Sequence, residues 1–221
     1  MDIVSVIIPT LNEKKGIKEV INDLPREELR NMGYEVEVLA VDGGSSDGTV
    51  EILKNLEVKI IHSKGGKAEG VREGLKNVRG SLIFLIDGDG TYPAQKIPDM
   101  VKEFEEGHQM VLGSRFRGEI CDGAMTTKNK IGNKVLTWLA NGLYGTDTSD
   151  LCTGLRGFST YDLDPDEISS SGFEIEAELH TLFSEKNISE IPIEYRDRKG
   201  ESKLVTFDGV KIALRLLREK F

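Results

Sequence analysis

Short apolar runs alternate with longer amphipathic segments over the first half of the chain. The runs cover residues 3–8, 36–41, 58–61, 82–86 and 110–112. Their length and β-branched content are typical of strands. Between the runs, apolar residues recur three or four positions apart, as in Ile17, Val20, Ile21 and Leu24, which is the spacing of a helix face. This alternation predicts an α/β fold in which a mostly parallel sheet has helices on both faces.

The second half of the chain is less regular. Two further strands are predicted at 154–159 and 188–195, and Pro192 favours an edge position for the second of them. Helices are predicted at 131–143 and 173–183, and residues 117–130 are predicted to form a polar loop. The last helix has one apolar stripe, which we expect to pack on the domain. That stripe consists of Phe207, Val210, Leu214, Leu217 and Phe221.

The run at 82–86 stops abruptly at Asp87, which is followed by Gly88, Asp89 and Gly90. An uninterrupted apolar run indicates a strand that is buried on both faces. Two carboxylates therefore lie at the carboxyl end of a predicted central strand, where open α/β sheets bind their ligands. Carboxylate oxygens suit Mg²⁺ or Mn²⁺ bridging to a phosphate. The alternative is an ordinary turn, because Asp and Gly are common turn residues.

Composition narrows the function classes. The chain is 38% hydrophobic and 30% charged, as in soluble globular proteins, and its net charge of −9 argues against a nucleic-acid binder. The first ten residues are expected to form a strand and not a signal peptide. Cys121 and Cys152 lack metal-type spacing, which favours reduced thiols in a cytoplasmic protein. The chain has neither a Walker-type loop nor a G-x-G-x-x-G after its first strand, which disfavours other nucleotide-binding folds.

Seven stretches that span nearly the whole chain carry a family resemblance. They are VIIPTLNEKKGI, VDGGSSDGTVEI, GKAEGVREGL, FLIDGDGTYPAQKIPDMV, VLGSRF, LCTGLRGFS and RDRKGESKL. In this order they resemble the inverting GT-A glycosyltransferases of family 2, and within them the dolichyl-phosphate (polyprenyl-phosphate) sugar synthases. Two positions depart from the usual pattern. Gly43 stands where the family often has a second acid, and Thr91 follows the acidic motif where a further ligand would be expected.

The resemblance implies a single GT-A domain over 1–221, with a nucleotide-sugar half at 1–115 and an acceptor half at 116–221. It implies that Asp87 and Asp89 hold Mg²⁺ or Mn²⁺, and that Asp89, Arg115 and Asp150 serve catalysis. The nucleotide-sugar would be bound by Pro9, Thr10, Glu13, Asp42, Lys67 and Asp87. Acidic residues at strand ends and helix starts are also common without a ligand, and a solvated lysine remains the alternative for Lys67.

A polyprenyl phosphate acceptor requires cations more than a general base, because its phosphate is largely dianionic at neutral pH. The candidates for binding it are Arg115, Arg117, Lys134, Arg196, Arg198 and Lys203, with Lys128 and Lys130 as weaker ones. Asp150 lies where alcohol-accepting relatives place a base, and here it is expected to order the cations instead. Sugar specificity is expected in 151–157 and 172–178, although acids in a first helical turn also suit the helix dipole.

The sequence thus predicts metal-dependent, inverting transfer of a hexose from a UDP- or GDP-sugar to dolichyl or polyprenyl phosphate. One alternative is transfer to a soluble or glycan hydroxyl, and another is a non-catalytic nucleotide-sugar-binding subunit. Because the acceptor is a lipid, we expect a cytoplasmic protein that works at the cytoplasmic face of the membrane. The basic flank of the last helix is a candidate for peripheral membrane contact.

Overall fold

The computed structural model describes residues 1–56, 58–203 and 206–221. Its strands are β1 (Asp2–Thr10), β2 (Tyr34–Asp42), β3 (Lys59–His62), β4 (Leu82–Leu85), β5 (Met110–Ile120), β6 (Arg156–Ser159) and β7 (Ile188–Tyr195). Its α-helices are α1 (Ile17–Asn22), α2 (Arg26–Asn31), α3 (Thr49–Asn55), α4 (Lys67–Leu75), α5 (Ile97–Glu105), α6 (Thr127–Tyr144), α7 (Ile175–Leu182) and α8 (Thr206–Lys220).

The seven strands form one sheet in the order β3-β2-β1-β4-β6-β5-β7. All neighbouring pairs are parallel except those of β6, which runs antiparallel to both β4 and β5. The predicted mostly parallel sheet is therefore confirmed, and β4 is its central strand. Because every strand except β6 points the same way, the loops after β1, β2, β4, β5 and β7 emerge at one edge of the sheet.

Alternation along the strands creates an apolar core on each face of the sheet. Val4 and Val6 of β1 pack with Ile17 and Leu29 on one face. Ile7 of the same strand packs on the other face, with Val71 of α4. A third, smaller cluster joins α6, α7 and α8 and includes Ala140, Ile212 and Leu216. Helices therefore cover both faces, as the pattern predicts.

The strand β7 lies at the edge of the sheet, as Pro192 suggested. Pro192 pairs with Ser114 of β5, and the register between the two strands is broken from Ser114 to Glu119. Proline has no N–H to donate to the ladder, so this is a natural place for the pairing to shift. The irregular segment contains Arg115, whose side chain is turned into the protein interior.

Two expectations were wrong, and one helix was not predicted. The polar segment 117–130 is not a loop throughout, since β5 runs to Ile120 and α6 begins at Thr127. The short helix α2 was missed. The apolar stripe of the last helix is exposed, because α8 turns Ile212 and Leu216 inward instead.

Among the described ranges, none of the helices combines the length and apolar content that crossing a bilayer requires.

Candidate active site

The loop after β4 places Asp89 in a buried position, with 1% of the residue exposed. Its Oδ1 accepts hydrogen bonds from the Thr91 N–H at 2.9 Å and from the Thr91 hydroxyl at 2.6 Å. Gly90 follows with φ +80°, a conformation that favours glycine. Asp89 Oδ2 is buried and has no hydrogen-bond partner among the described residues, although the Arg198 Nη1 is 2.5 Å away. The pair is therefore in ionic contact without hydrogen-bond alignment.

Asp87 lies beside Lys67, the first residue of α4, with 2.7 Å between Oδ1 and Nζ. The same ammonium lies 2.6 Å from Glu176 of α7. Burial alone would raise the pKa of Asp87, but the charge and hydrogen bond of Lys67, together with the charges of Arg198 and Arg115, outweigh burial and the pKa is lowered. For Lys67, burial lowers the pKa while Asp87 and Glu176 raise it, and the net shift is upward. Both groups stay charged. A Cβ at Gly154 would overlap Asp87, so this approach requires glycine.

The basic segment after β7, residues 196–203, folds back over the acidic loop. The Arg196 N–H donates to the Thr91 carbonyl and the Lys199 N–H donates to the Asp89 carbonyl, both at 3.0 Å. These backbone bonds hold Arg198 against Asp89, and Lys203 pairs with Glu13. Burial raises the pKa of Glu13 more than Lys203 lowers it.

Two buried carboxylate oxygens at this edge, Asp89 Oδ2 and Glu13 Oε2, accept no hydrogen bond from any described group. Such oxygens are uncommon inside proteins because burying a carboxylate oxygen that lacks a hydrogen bond costs free energy. Carboxylate oxygens are also the ligands that Mg²⁺ and Mn²⁺ prefer. Asp89 Oδ2, together with Asp87 two residues before it, therefore fits a divalent cation.

Asp150 precedes β6 and is fully buried, at 0% exposure. Its Oδ2 accepts from the Arg115 backbone N–H at 2.9 Å and from Arg115 Nε at 2.7 Å. Its Oδ1 accepts from Arg115 Nη2 at 2.6 Å and from the Asn133 amide of α6 at 2.8 Å. Four donors thus occupy the two oxygens. The guanidinium also lies over the ring of Tyr195, with 5.2 Å to its centroid.

Tyr92 connects the acidic loop of Asp87 and Asp89 with the Arg115–Asp150 pair. Its hydroxyl accepts from the Gly154 N–H at 2.7 Å, and its ring lies 6.0 Å from the Arg115 guanidinium. Burial raises the pKa of Tyr92 well above its ordinary value, so the hydroxyl stays neutral. The Arg115 charge also lowers the pKa of Asp87, after Lys67 and Arg198. The acidic loop and the Arg115–Asp150 pair therefore form one continuous polar site.

Other predicted site residues surround this centre. Arg117 is half-exposed and its Nε lies 2.8 Å from Glu190. Lys134 is exposed, with Nζ 5.5 Å from the Phe116 ring centroid. Arg196 pairs with Glu194 at 3.0 Å, at the rim.

At the ends of β1 and β2, Asp42 is buried and accepts from the backbone N–H groups of Gly44 and Ser45 at 3.0 and 3.2 Å. The Thr10 hydroxyl donates to the Ile8 carbonyl at 2.8 Å. Pro9, Lys67 and Asp87 border a small cavity together with Glu176.

The structure thus brings eight predicted site residues together in four ion pairs: Lys67 with Asp87, Arg198 with Asp89, Lys203 with Glu13, and Arg115 with Asp150. Two contributors, Tyr92 and Asn133, were not singled out from the sequence, and Glu176 was expected only as one of several acids in the segment assigned to sugar specificity. Glu176 lay within the acidic 172–178 segment, and Tyr92 within the acidic loop motif, so both had a local signal. Asn133 had none, because a single amide on a long helix does not reveal the tertiary contact it makes.

Comparison with known proteins identifies the family. The profile of glycosyl transferase family 2 matches residues 5–164. The chain is 32% identical over 205 residues to "Glycosyltransferase AglJ" of Haloferax volcanii, covering 91% of this chain and 65% of that protein. It is 31% identical over 212 residues to "Dolichyl-phosphate hexose transferase" of the same organism, covering 94% and 89%.

A third relative comes from Methanococcus voltae and is named "UDP-N-acetylglucosamine--dolichyl-phosphate N-acetylglucosaminyltransferase". It is 32% identical over 253 residues, covering 99% of this chain and 96% of that protein. The coverage differs among relatives, and this chain spans about two thirds of the Haloferax AglJ protein.

Among solved structures, glucosyl-3-phosphoglycerate synthase from Mycobacterium tuberculosis superposes with a TM-score of 0.75 at 20% identity, covering 99% of this chain and 80% of that chain. That enzyme has also been crystallised with Mn²⁺ and uridine diphosphate. At this identity the likeness shows the GT-A fold, which is the fold that the sequence predicted.

Proposed function

The chain belongs to glycosyl transferase family 2, and from that premise we propose that it transfers a hexose from a nucleotide-sugar to dolichyl or another polyprenyl phosphate. The choice of a phosphate acceptor over a hydroxyl acceptor rests on the hydrogen bonding of Asp150. A hydroxyl acceptor needs a general base within reach, and Asp150 has both oxygens occupied by Arg115 and Asn133. A phosphate acceptor needs no base, since it is already largely dianionic near neutral pH.

On the donor side, we assign the nucleotide-sugar to the edge formed by Pro9, Thr10, Glu13, Asp42 and Lys67. Asp87 and Asp89 would hold Mg²⁺ or Mn²⁺, which supplies positive charge to the diphosphate leaving group when bound. Lys67 is fixed between Asp87 and Glu176, so its ammonium is oriented before any ligand arrives. Relatives acting on dolichyl phosphate, one of them with a UDP-sugar, support this assignment.

On the acceptor side, we assign the lipid phosphate to Arg115, Arg117, Lys134, Arg196, Arg198 and Lys203. Arg115 is the anchored member, since Asp150 holds its Nε and Nη2 in a fixed fork. Asp150 then serves as a positioning residue. Arg117 and Arg198 are more exposed and can turn toward a phosphate, for which the planar guanidinium is well suited.

The reaction is written as an in-line displacement with inversion. An oxygen of the acceptor phosphate attacks the anomeric carbon, and the bond from that carbon to the diphosphate oxygen breaks. The nucleoside diphosphate leaves with the electron pair, so no proton needs to be removed.

Transfer of radiolabelled sugar from a panel of UDP- and GDP-sugars to detergent-dispersed dolichyl phosphate tests the proposal. Product should appear in the organic phase only with Mg²⁺ or Mn²⁺ present, and with one donor strongly preferred. Dolichol, which has the same chain and a hydroxyl in place of the phosphate, is the matched control and should give no product. Transfer to dolichol or to soluble glycans, and none to the phosphate, would overturn it. Donor binding without turnover on any acceptor would indicate a binding subunit.

A further inference from the structure

Two neighbouring helices turn apolar side chains to solvent. On α6 these are Ile131, Val135 and Trp138, and the Trp138 residue is 75% exposed. On α8 they are Phe207, Val210, Leu214, Leu217 and Phe221. Both sets follow helical spacing and lie opposite the buried residues of their helix, which include Ala140 on α6 and Leu216 on α8. We refer to these eight residues as the α6–α8 apolar face.

The two helices are packed against each other, so the two stripes belong to neighbouring helices. Leu136 and Leu139 of α6 pack into the small cluster that contains Ile212 and Leu216 of α8. The Tyr144 hydroxyl at the end of α6 donates to the Leu216 carbonyl at 2.7 Å. Apolar side chains that are exposed in a row on adjacent helices form a patch of the kind that marks an interaction surface.

The charge around the face is opposite to that of the rest of the protein. Helix α6 carries three lysines and no acid, and α8 carries four cations and two acids, so together they have a net charge of +5 in a chain whose net charge is −9. A helix with an apolar face and lysine- and arginine-rich flanks binds in the interface of an anionic membrane. We propose that the α6–α8 apolar face docks on an anionic lipid bilayer and inserts Trp138 and Leu214 into it.

A second copy of the chain is a poorer occupant. A twofold dimer would place the same face on both sides of the interface, and the two positively charged surroundings would then repel each other.

Docking on a bilayer would bring the protein to its lipid acceptor, so this proposal rests on the proposed function. On the inward side of α6, Asn133 holds Asp150, which holds Arg115. The bilayer would therefore lie one helix away from the side chains assigned to the lipid phosphate.

Trp138 is the only tryptophan of the chain, so its fluorescence reports this face alone. With vesicles of phosphatidylcholine and phosphatidylglycerol, we expect a blue shift of its emission and quenching by brominated acyl chains. The double variant Phe207→Ser/Leu214→Ser keeps Trp138 and should bind at least about tenfold more weakly. Tyr161→Ser is the matched control, since Tyr161 is 90% exposed in the turn at 160–162, outside the face. It should bind like the wild type.

The outcomes separate docking from catalysis. If the double variant loses vesicle binding but transfers sugar normally to detergent-dispersed acceptor, both proposals stand. Trp138 emission that is unchanged by vesicles, in a protein that does transfer sugar, overturns the docking alone. Vesicle insertion without transfer to any lipid phosphate overturns the proposed function alone. A blue shift that depends on protein concentration in the absence of lipid would show self-association and would also overturn the docking.

Discussion

The site contains two carboxylate–guanidinium pairs that differ in how completely they are satisfied. Asp150 and Arg115 form a closed pair, in which four donors fill both carboxylate oxygens and every group is buried. Asp89 and Arg198 form an open pair. One oxygen of Asp89 is bonded to Thr91, while the other meets Arg198 without hydrogen-bond geometry. Arg198 is also the more exposed of the two arginines, at 28% of its side chain.

The difference indicates two separate tasks. A closed pair fixes a cation in one orientation and leaves its acid unable to take a proton from a substrate. An open pair leaves one buried carboxylate oxygen without a hydrogen bond. Binding a divalent cation there would stabilise this oxygen. The identity of the acids alone does not separate these tasks, since each is an Asp at a predicted strand or loop boundary.

The largest expected effect is that of Asp89→Asn on transfer. Removing one negative charge from the open pair should lower kcat by about three orders of magnitude, corresponding to several kcal/mol of lost charge stabilisation. Mn²⁺ binding, followed by electron paramagnetic resonance, should weaken in parallel. Asp99→Asn is the control, because Asp99 forms exposed pairs with Lys96 and Lys102. A variant with near-normal transfer would remove Asp89 from the proposed metal site.

The next effect tests the closed pair. Asp150→Asn leaves the buried Arg115 charge without its bidentate partner, so the free energy of unfolding should fall by about 3 kcal/mol. Because Asp150 is assigned no proton transfer, transfer to dolichyl phosphate should remain measurable, with an unchanged shape of the pH–rate profile. Urea denaturation and rate measurements on the same preparation check both parts. Loss of all turnover together with unaltered stability would identify Asp150 as a general base.

The fold could be predicted from the sequence because the sheet is encoded locally. Runs such as 82–86 and the helical spacing after them fix each strand and crossover, and the order of the loops follows. The acids at 87 and 89 were predicted for the same reason, since they end a strand. The closed pair was placed only roughly, because Asn133 and Arg115 reach Asp150 through tertiary contacts that have no period in the sequence.

The prediction for the last helix was wrong for a different physical reason. It has two apolar faces, and periodicity alone does not say which one the protein covers. The larger stripe, with Phe207 and Leu214, is outside, while Ile212 and Leu216 pack against Ala140 and Ala177.

The next effect in size is expected at a buried histidine outside the two pairs. His180 of α7 is fully buried, its Nε2 is 3.0 Å from Thr146 Oγ1, and burial lowers its pKa to about 4. Between pH 6.5 and 4 the unfolded chain binds a proton that the folded protein does not, so stability falls as the pH is lowered. From pH 7.5 to 5 this group should account for about 2 kcal/mol of lost unfolding free energy.

His180→Gln should flatten that part of the pH dependence, as measured by urea denaturation at each pH. The comparison uses the change between two pH values, so a general loss of stability in the variant does not affect it. An equal pH dependence in variant and wild type would show that His180 becomes protonated in the folded protein, and that this part of the interior is open to water.

The smallest expected effect belongs to Arg198→Gln, which tests whether the open pair holds its arginine weakly. Arg198 meets the same Asp89 oxygen that is assigned to the metal. Removing its charge should therefore tighten Mn²⁺ binding to the donor-free protein by about two- to fivefold, the range expected for a partly exposed ion pair. Transfer should fall nevertheless, because the guanidinium is also assigned to the acceptor phosphate. Arg196→Gln is the matched control, since Arg196 pairs with Glu194 at the rim and should leave Mn²⁺ affinity unchanged. Weaker Mn²⁺ binding in Arg198→Gln would mean that Arg198 shapes the metal site, and the two pairs would then be alike.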